Sequence, residues 1–186
     1  MCAKAIIRIG EMRGDKNQKS LGLMSLGDSM AISGENLGEA WKYQQQGATL
    51  FLEEGNLLGW ARTTIGRVAY CIDLQCGEKI AAEATMALEF FKRYNEKHYF
   101  VRLTISFMRF LNEKSRHDQA LSLFHDAFSV VSELGEEGRQ YLLALYNNAA
   151  VSHWYKGEFN KSFDCLVNAK DIALECNKAE ILIIIQ

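Results

Sequence analysis

Proline is absent from this chain of 186 residues. At an average usage of roughly 5%, about nine would be expected. Glycine is present at 14 residues, so turns are available. A chain with turns and no proline has nothing to interrupt helices, which predicts an all-α protein. Long apolar runs are also missing. The longest, Ile181 to Ile185, is far short of the roughly 20 residues of a membrane span. The first residues, MCAKAIIRIGEMRGD, hold only a short apolar stretch before Arg8, so no secretory signal is expected. A basic excess is missing too: 21 Lys and Arg face 23 Asp and Glu, for a net charge of −2. No basic stripe is visible, which argues against direct nucleic-acid binding. Cysteine is sparse and scattered at Cys2, Cys71, Cys76, Cys165 and Cys176. Free thiols in a reducing cytoplasm are the expected state, with no zinc site.

Small residues recur at a regular interval. Ala40, Ile80, Ala120 and Ser162 are separated by steps of 40, 40 and 42. Four residues after each lie Gln44, Ala84, Phe124 and Leu166. Three further on lie Gly47, Ala87, Ala127 and Ala169. Offsets of four and three place each triad on one helical face, where small residues let a neighbouring helix approach closely. A second helical pattern precedes each of these helices, as in Val101, Ile105, Met108 and Leu111. Short polar turns separate them, among them Ser33-Gly34-Glu35, Glu53-Glu54-Gly55-Asn56, Glu113-Lys114-Ser115 and Lys156-Gly157-Glu158. The pattern predicts helices near 3–14, 20–33, 36–54, 57–75, 78–94, 97–113, 116–134, 137–156, 159–175 and 177–186. They form a single repeat domain over 1–186, with units near 20–54, 57–94, 97–134 and 137–175 plus flanking partial units. The last helix ends in isoleucines rather than a polar cap. It is expected to open a further unit of a longer protein, or to pair two copies of the chain as a homodimer.

The segment from Leu145 to Phe163, with Tyr146, Ala149-Ala150, Gly157-Glu158-Phe159 and Ser162, resembles the tetratricopeptide repeat (TPR). The second half of the unit from Thr104 to Ala127 matches it too, and the unit from Met24 to Gly47 shows Leu26-Gly27, Gly34 and Ala40. Two features depart from the family. The period is 40–42 rather than 34, and the closing proline is absent. Long-period repeats of this kind are similar to those of large bacterial multidomain regulators. Examples are the maltose-activator-like signal-transduction ATPases and the CHAT-domain proteins; the segment from Glu53 to Arg62 is reminiscent of both. The resemblance implies a right-handed superhelical stack of antiparallel helix pairs, an α-solenoid whose first helices line a concave groove. It implies a cytoplasmic, non-catalytic scaffold for a protein or peptide partner, or for other domains of its own chain, in signalling or transcription regulation. The alternative is a small-ligand sensor domain of a transcriptional regulator, binding an effector in that groove.

The same resemblance directs attention to Arg62, Arg102, Arg109, Asn147, Asn148 and Tyr155 on the inner face. Arginines converging there would hold a carboxylate or phosphate bidentately, against the ordinary alternative of solvated helix charges. The asparagines would donate amides to a peptide backbone, or cap locally. The family's carboxylate clamp is not expected, because only Asn148 matches it and its lysines are missing. Trp41, Trp60 and Trp154 are expected to pack between helices. His98, His117, His125 and His153 show no metal spacing, and no catalytic triad, phosphate loop or HExxH motif occurs. No cofactor, metal or catalytic residue is expected.

Overall fold

The computed structural model describes residues 3–34, 36–71 and 77–175. Among the described residues it contains nine helices and no strand. They are α1 (Ala3–Arg13), α2 (Lys16–Ile32), α3 (Leu37–Glu53), α4 (Leu57–Cys71), α5 (Glu78–Arg93), α6 (Lys97–Glu113), α7 (His117–Leu134), α8 (Glu136–Tyr155) and α9 (Phe159–Glu175). The expected final helix at 177–186, and with it the homodimer reading, lies outside the described residues. No helix among them is long and apolar enough to cross a membrane.

Contacts divide the chain into two compact halves, Met1–Tyr94 and Asn95–Gln186. In the N-terminal half each helix packs on the next, and α2 also touches α4. In the C-terminal half α6 packs on α7, α7 on α8 and α8 on α9, while α6 also reaches α8. Where turns of only a few residues join them, successive helices run in opposite directions.

The recurring triads are the contact surfaces. Of the twelve positions, all but Leu166 are buried. Ala40, Ala84, Ala87, Ala120, Ala127 and Ala169 are fully enclosed. The large side chains that interlock around them include Phe51, Phe91, Phe110, Leu103 and Leu145. Each such burial contributes roughly 1.5–3 kcal/mol.

Four turns share one hydrogen-bond pattern. The amides of Asp15, Asn56, Arg116 and Glu158 donate back to the carbonyls of Gly10, Phe51, Leu111 and His153 at 2.8–2.9 Å. This is the Schellman closure, and it needs a left-handed residue just before each of those amides. Gly14, Gly55 and Gly157 supply it in three turns, but Ser115 carries it in the fourth, at φ 57°. A left-handed residue with a Cβ is strained, so Ser115→Gly is expected to stabilise the chain by about 0.5–1 kcal/mol. A urea melt measures this, and a loss of stability would contradict it.

Two expectations need correction. Helix α2 begins at Lys16, four residues before the predicted onset, because the Asp15 carboxylate caps the Gln18 amide at 2.9 Å. Cys71 is fully buried at the end of α4 and disulfide-bonded, whereas Cys165 is free. The expectation of free thiols therefore fails at Cys71.

Candidate functional site

The C-terminal half carries a cleft of about 690 Å3. Its walls are the last turns of α6 and α8, the start of α7, and α9. Asn112, near the end of α6, is buried and organises its floor. Its Nδ2 donates to the Asn148 carbonyl at 3.0 Å. Since a carbonyl only accepts, this bond fixes which end of the amide is nitrogen. Oδ1 then accepts from the Ser152 hydroxyl at 2.7 Å and from His117 Nδ1 at 3.1 Å. An amide oxygen cannot donate, so His117 carries a proton on Nδ1 and, when neutral, presents Nε2 as an acceptor. The Tyr155 ring stacks flat on His117, with centroids 5.1 Å apart and planes 6° from parallel.

The apolar wall comes from Ala150, Val151, Trp154 and Leu166. Trp154 is 60% exposed and Tyr155 69%. Trp154 meets the Phe159 ring of α9 edge-on at 5.0 Å, so it touches the next helix as expected while leaving most of its surface exposed. Trp60 is buried. Ser162 lines the cleft, but its hydroxyl is held by the Ala150 carbonyl at 2.9 Å. Asn147 and Glu113 also line it, and their side chains make no hydrogen bond or ion pair among the described residues.

Compared with protein-family models and with curated proteins, the chain matches none.

Of the residues singled out from the sequence, the cleft brings together Asn147 and Tyr155. Asn148 lies one residue along, but its amide donates to the Ala144 carbonyl of its own helix at 2.9 Å. Arg102 and Arg109 are exposed on α6, without ion pairs among the described residues, and neither lines the cleft. Arg62 is half-buried on α4, in the N-terminal half. The sequence reading missed Asn112, His117, Ser152 and Glu113. No period marked them: Asn112 and Ser152 are 40 residues apart, whereas the triads and turns of these two units are offset by 42.

In chemical terms the cleft offers aromatic faces, an amide, a carboxylate and an imidazole nitrogen. The Ser152 hydroxyl donates to an amide oxygen, which cannot take up its proton, so these groups are not a nucleophile with its base.

Beside the cleft, the α8–α9 turn is closed by charge. His153 Nδ1 donates to Glu158 at 2.7 Å and Lys161 contacts the same carboxylate at 3.2 Å. The His153 hydrogen bond, then that of Lys161, holds the Glu158 carboxyl at about 2, below its usual 4.5. A depressed carboxyl contributes stability above its unfolded value and loses it as the pH falls through the folded one. Glu158→Gln should therefore lower Tm most above pH 4.5, with the gap to the parent closing towards pH 2. Melts across that range test this, and a gap that widens in acid would refute it.

Proposed function

We propose that the chain is a non-catalytic interaction module whose C-terminal cleft docks a segment of a partner protein. The supporting observation is the cleft itself: exposed aromatic rings beside polar groups without partners, held on a hydrogen-bonded floor. Aromatic side chains give large contact area at low entropic cost, and unpaired amides and carboxylates give direction to a bound chain. The recurring buried triads, the shared turn closure and the contacts of α6 with α8 and α2 with α4 support a TPR-like reading. In that reading the helix pairs form a right-handed superhelical stack, belonging to a bacterial regulatory or signalling protein.

A pool of fluorescein-labelled random heptapeptides tests the docking. The chain should raise their fluorescence polarisation, and Trp154→Ala should weaken binding at least tenfold while leaving the melt unchanged, since the ring is exposed. Equal binding by parent and variant would refute the role of the cleft.

One observation favours the sensor alternative. A volume of about 690 Å3 falls among those of small-ligand pockets. Such pockets enclose their ligand, however, whereas here two wall residues are largely exposed. A thermal shift with a metabolite, and none with any peptide, would reverse the preference.

A further inference from the structure

We infer that the residue this cleft selects is an arginine, carried by an extended partner segment and flanked by apolar residues. The inference rests on the docking role proposed above and names its chemistry. Among the lining residues only Glu113 carries a fixed charge, and that charge is negative. Its carboxylate makes no ion pair among the described residues. An acidic occupant would be repelled. A purely apolar one would cover Glu113 and Asn147 without replacing the water they lose, which is costly.

The aromatic geometry favours a flat cation over a round one. His117 covers one face of the Tyr155 ring, and the ring is still 69% exposed. A guanidinium is planar and weakly hydrated, so it can extend this stack on the open face; a lysine ammonium cannot. Its five N–H groups also match what the cleft supplies. Glu113 offers two carboxylate oxygens, Asn147 an amide oxygen, and neutral His117 its Nε2 lone pair. Trp154, Val151 and Leu166 then receive the apolar neighbours of the arginine along the bound segment.

The test uses four fluorescein-labelled heptapeptide pools with the full chain. The central residue is fixed as Arg, Lys, norleucine or Glu, and the other positions are mixtures of Leu, Phe, Ala, Gly and Ser. The Arg pool should bind at least tenfold tighter than the norleucine pool, with Lys between them and Glu weakest. Glu113→Gln should reduce the Arg preference to less than threefold, and Glu113→Lys should reverse it in favour of the Glu pool. Tyr155→Ala should bring Arg down to the level of Lys. Both side chains are exposed, so circular dichroism should find the variants folded. Equal binding of the Arg and norleucine pools, unaffected by Glu113→Gln, would overturn the inference and leave peptide docking intact. Failure of all four pools to bind would overturn both.

Discussion

Replacing Glu83 with leucine is expected to cost the N-terminal half about 3–5 kcal/mol, one of the largest effects of any single change in the chain. Glu83 on α5 forms an ion pair with Arg67 on α4. The Arg67 side chain is 3% exposed. Burial lowers its pKa to about 10, still far above neutrality, so the guanidinium stays charged when its partner is removed. The variant must then hold an uncompensated cation inside a helix pair. At roughly 2–4 °C per kcal/mol, Tm should fall by about 6–20 °C. The pH dependence has a definite sign. The unfolded chain keeps the Arg67 proton more tightly than the folded one, so the deficit of the variant should shrink as the pH rises above about 10. Arg67 Nε has no hydrogen-bond partner among the described residues, so the native pair is itself imperfectly satisfied. The double change Arg67→Met, Glu83→Leu should accordingly recover most of the loss. A single variant as stable as the parent would show that the pair carries no weight.

Neither member of that pair stands out in the sequence, and the reason applies more widely. Local signals were legible. The small triads mark the close helix contacts, and the glycine turns mark most helix ends to within a residue or two. The onset of α2 was not, because Lys16-Asn17-Gln18-Lys19 has no apolar period to reveal it. Gln44 occupies the middle of a triad, where spacing alone leaves any residue type open. In the structure it is buried, donating to the Met24 carbonyl at 3.0 Å and to Asp28 at 2.7 Å. Tyr70 donates to the same carboxylate at 2.8 Å. Those partners are 16 to 42 residues apart in the chain, beyond any local pattern.

The cleft was half legible for a related reason. Helical spacing groups residues by face, but does not say which faces of neighbouring helices meet. Asn147 and Tyr155 share the α8 end that lines the cleft, whereas Arg102 and Arg109 share the helix of Asn112 without reaching it. Asn112 was hidden because its partners on α8, Asn148 and Ser152, lie 36 and 40 residues away, off the 42-residue step between these two units.

The second large effect is a reversal of sign at Gly59. Phe51 on α3 is almost completely enclosed, and truncating it to alanine is expected to cost about 3–5 kcal/mol. What encloses it includes the bare Cα of Gly59 on α4. A Cβ there would stand 2.5–2.7 Å from ring atoms of Phe51. Neither group can move away easily. The ring has no exposed edge to swing towards, and the first turn of α4 is pinned by Asn56. The Asn56 Oδ1 accepts the Gly59 amide at 2.8 Å, and its Nδ2 donates to Asn17 on α2 at 2.8 Å. In the parent, Gly59→Ala is therefore an overpacking change expected to cost about 1–3 kcal/mol. With Phe51→Ala already in place the clash is gone and only helix propensity remains, which favours alanine over glycine by about 1 kcal/mol. The same substitution should then stabilise. Urea melts of the four proteins in the cycle give the coupling, expected at about 2–4 kcal/mol. Equal effects of Gly59→Ala in both backgrounds would mean that the ring and the glycine do not touch, and that the close approach of α3 and α4 has another cause.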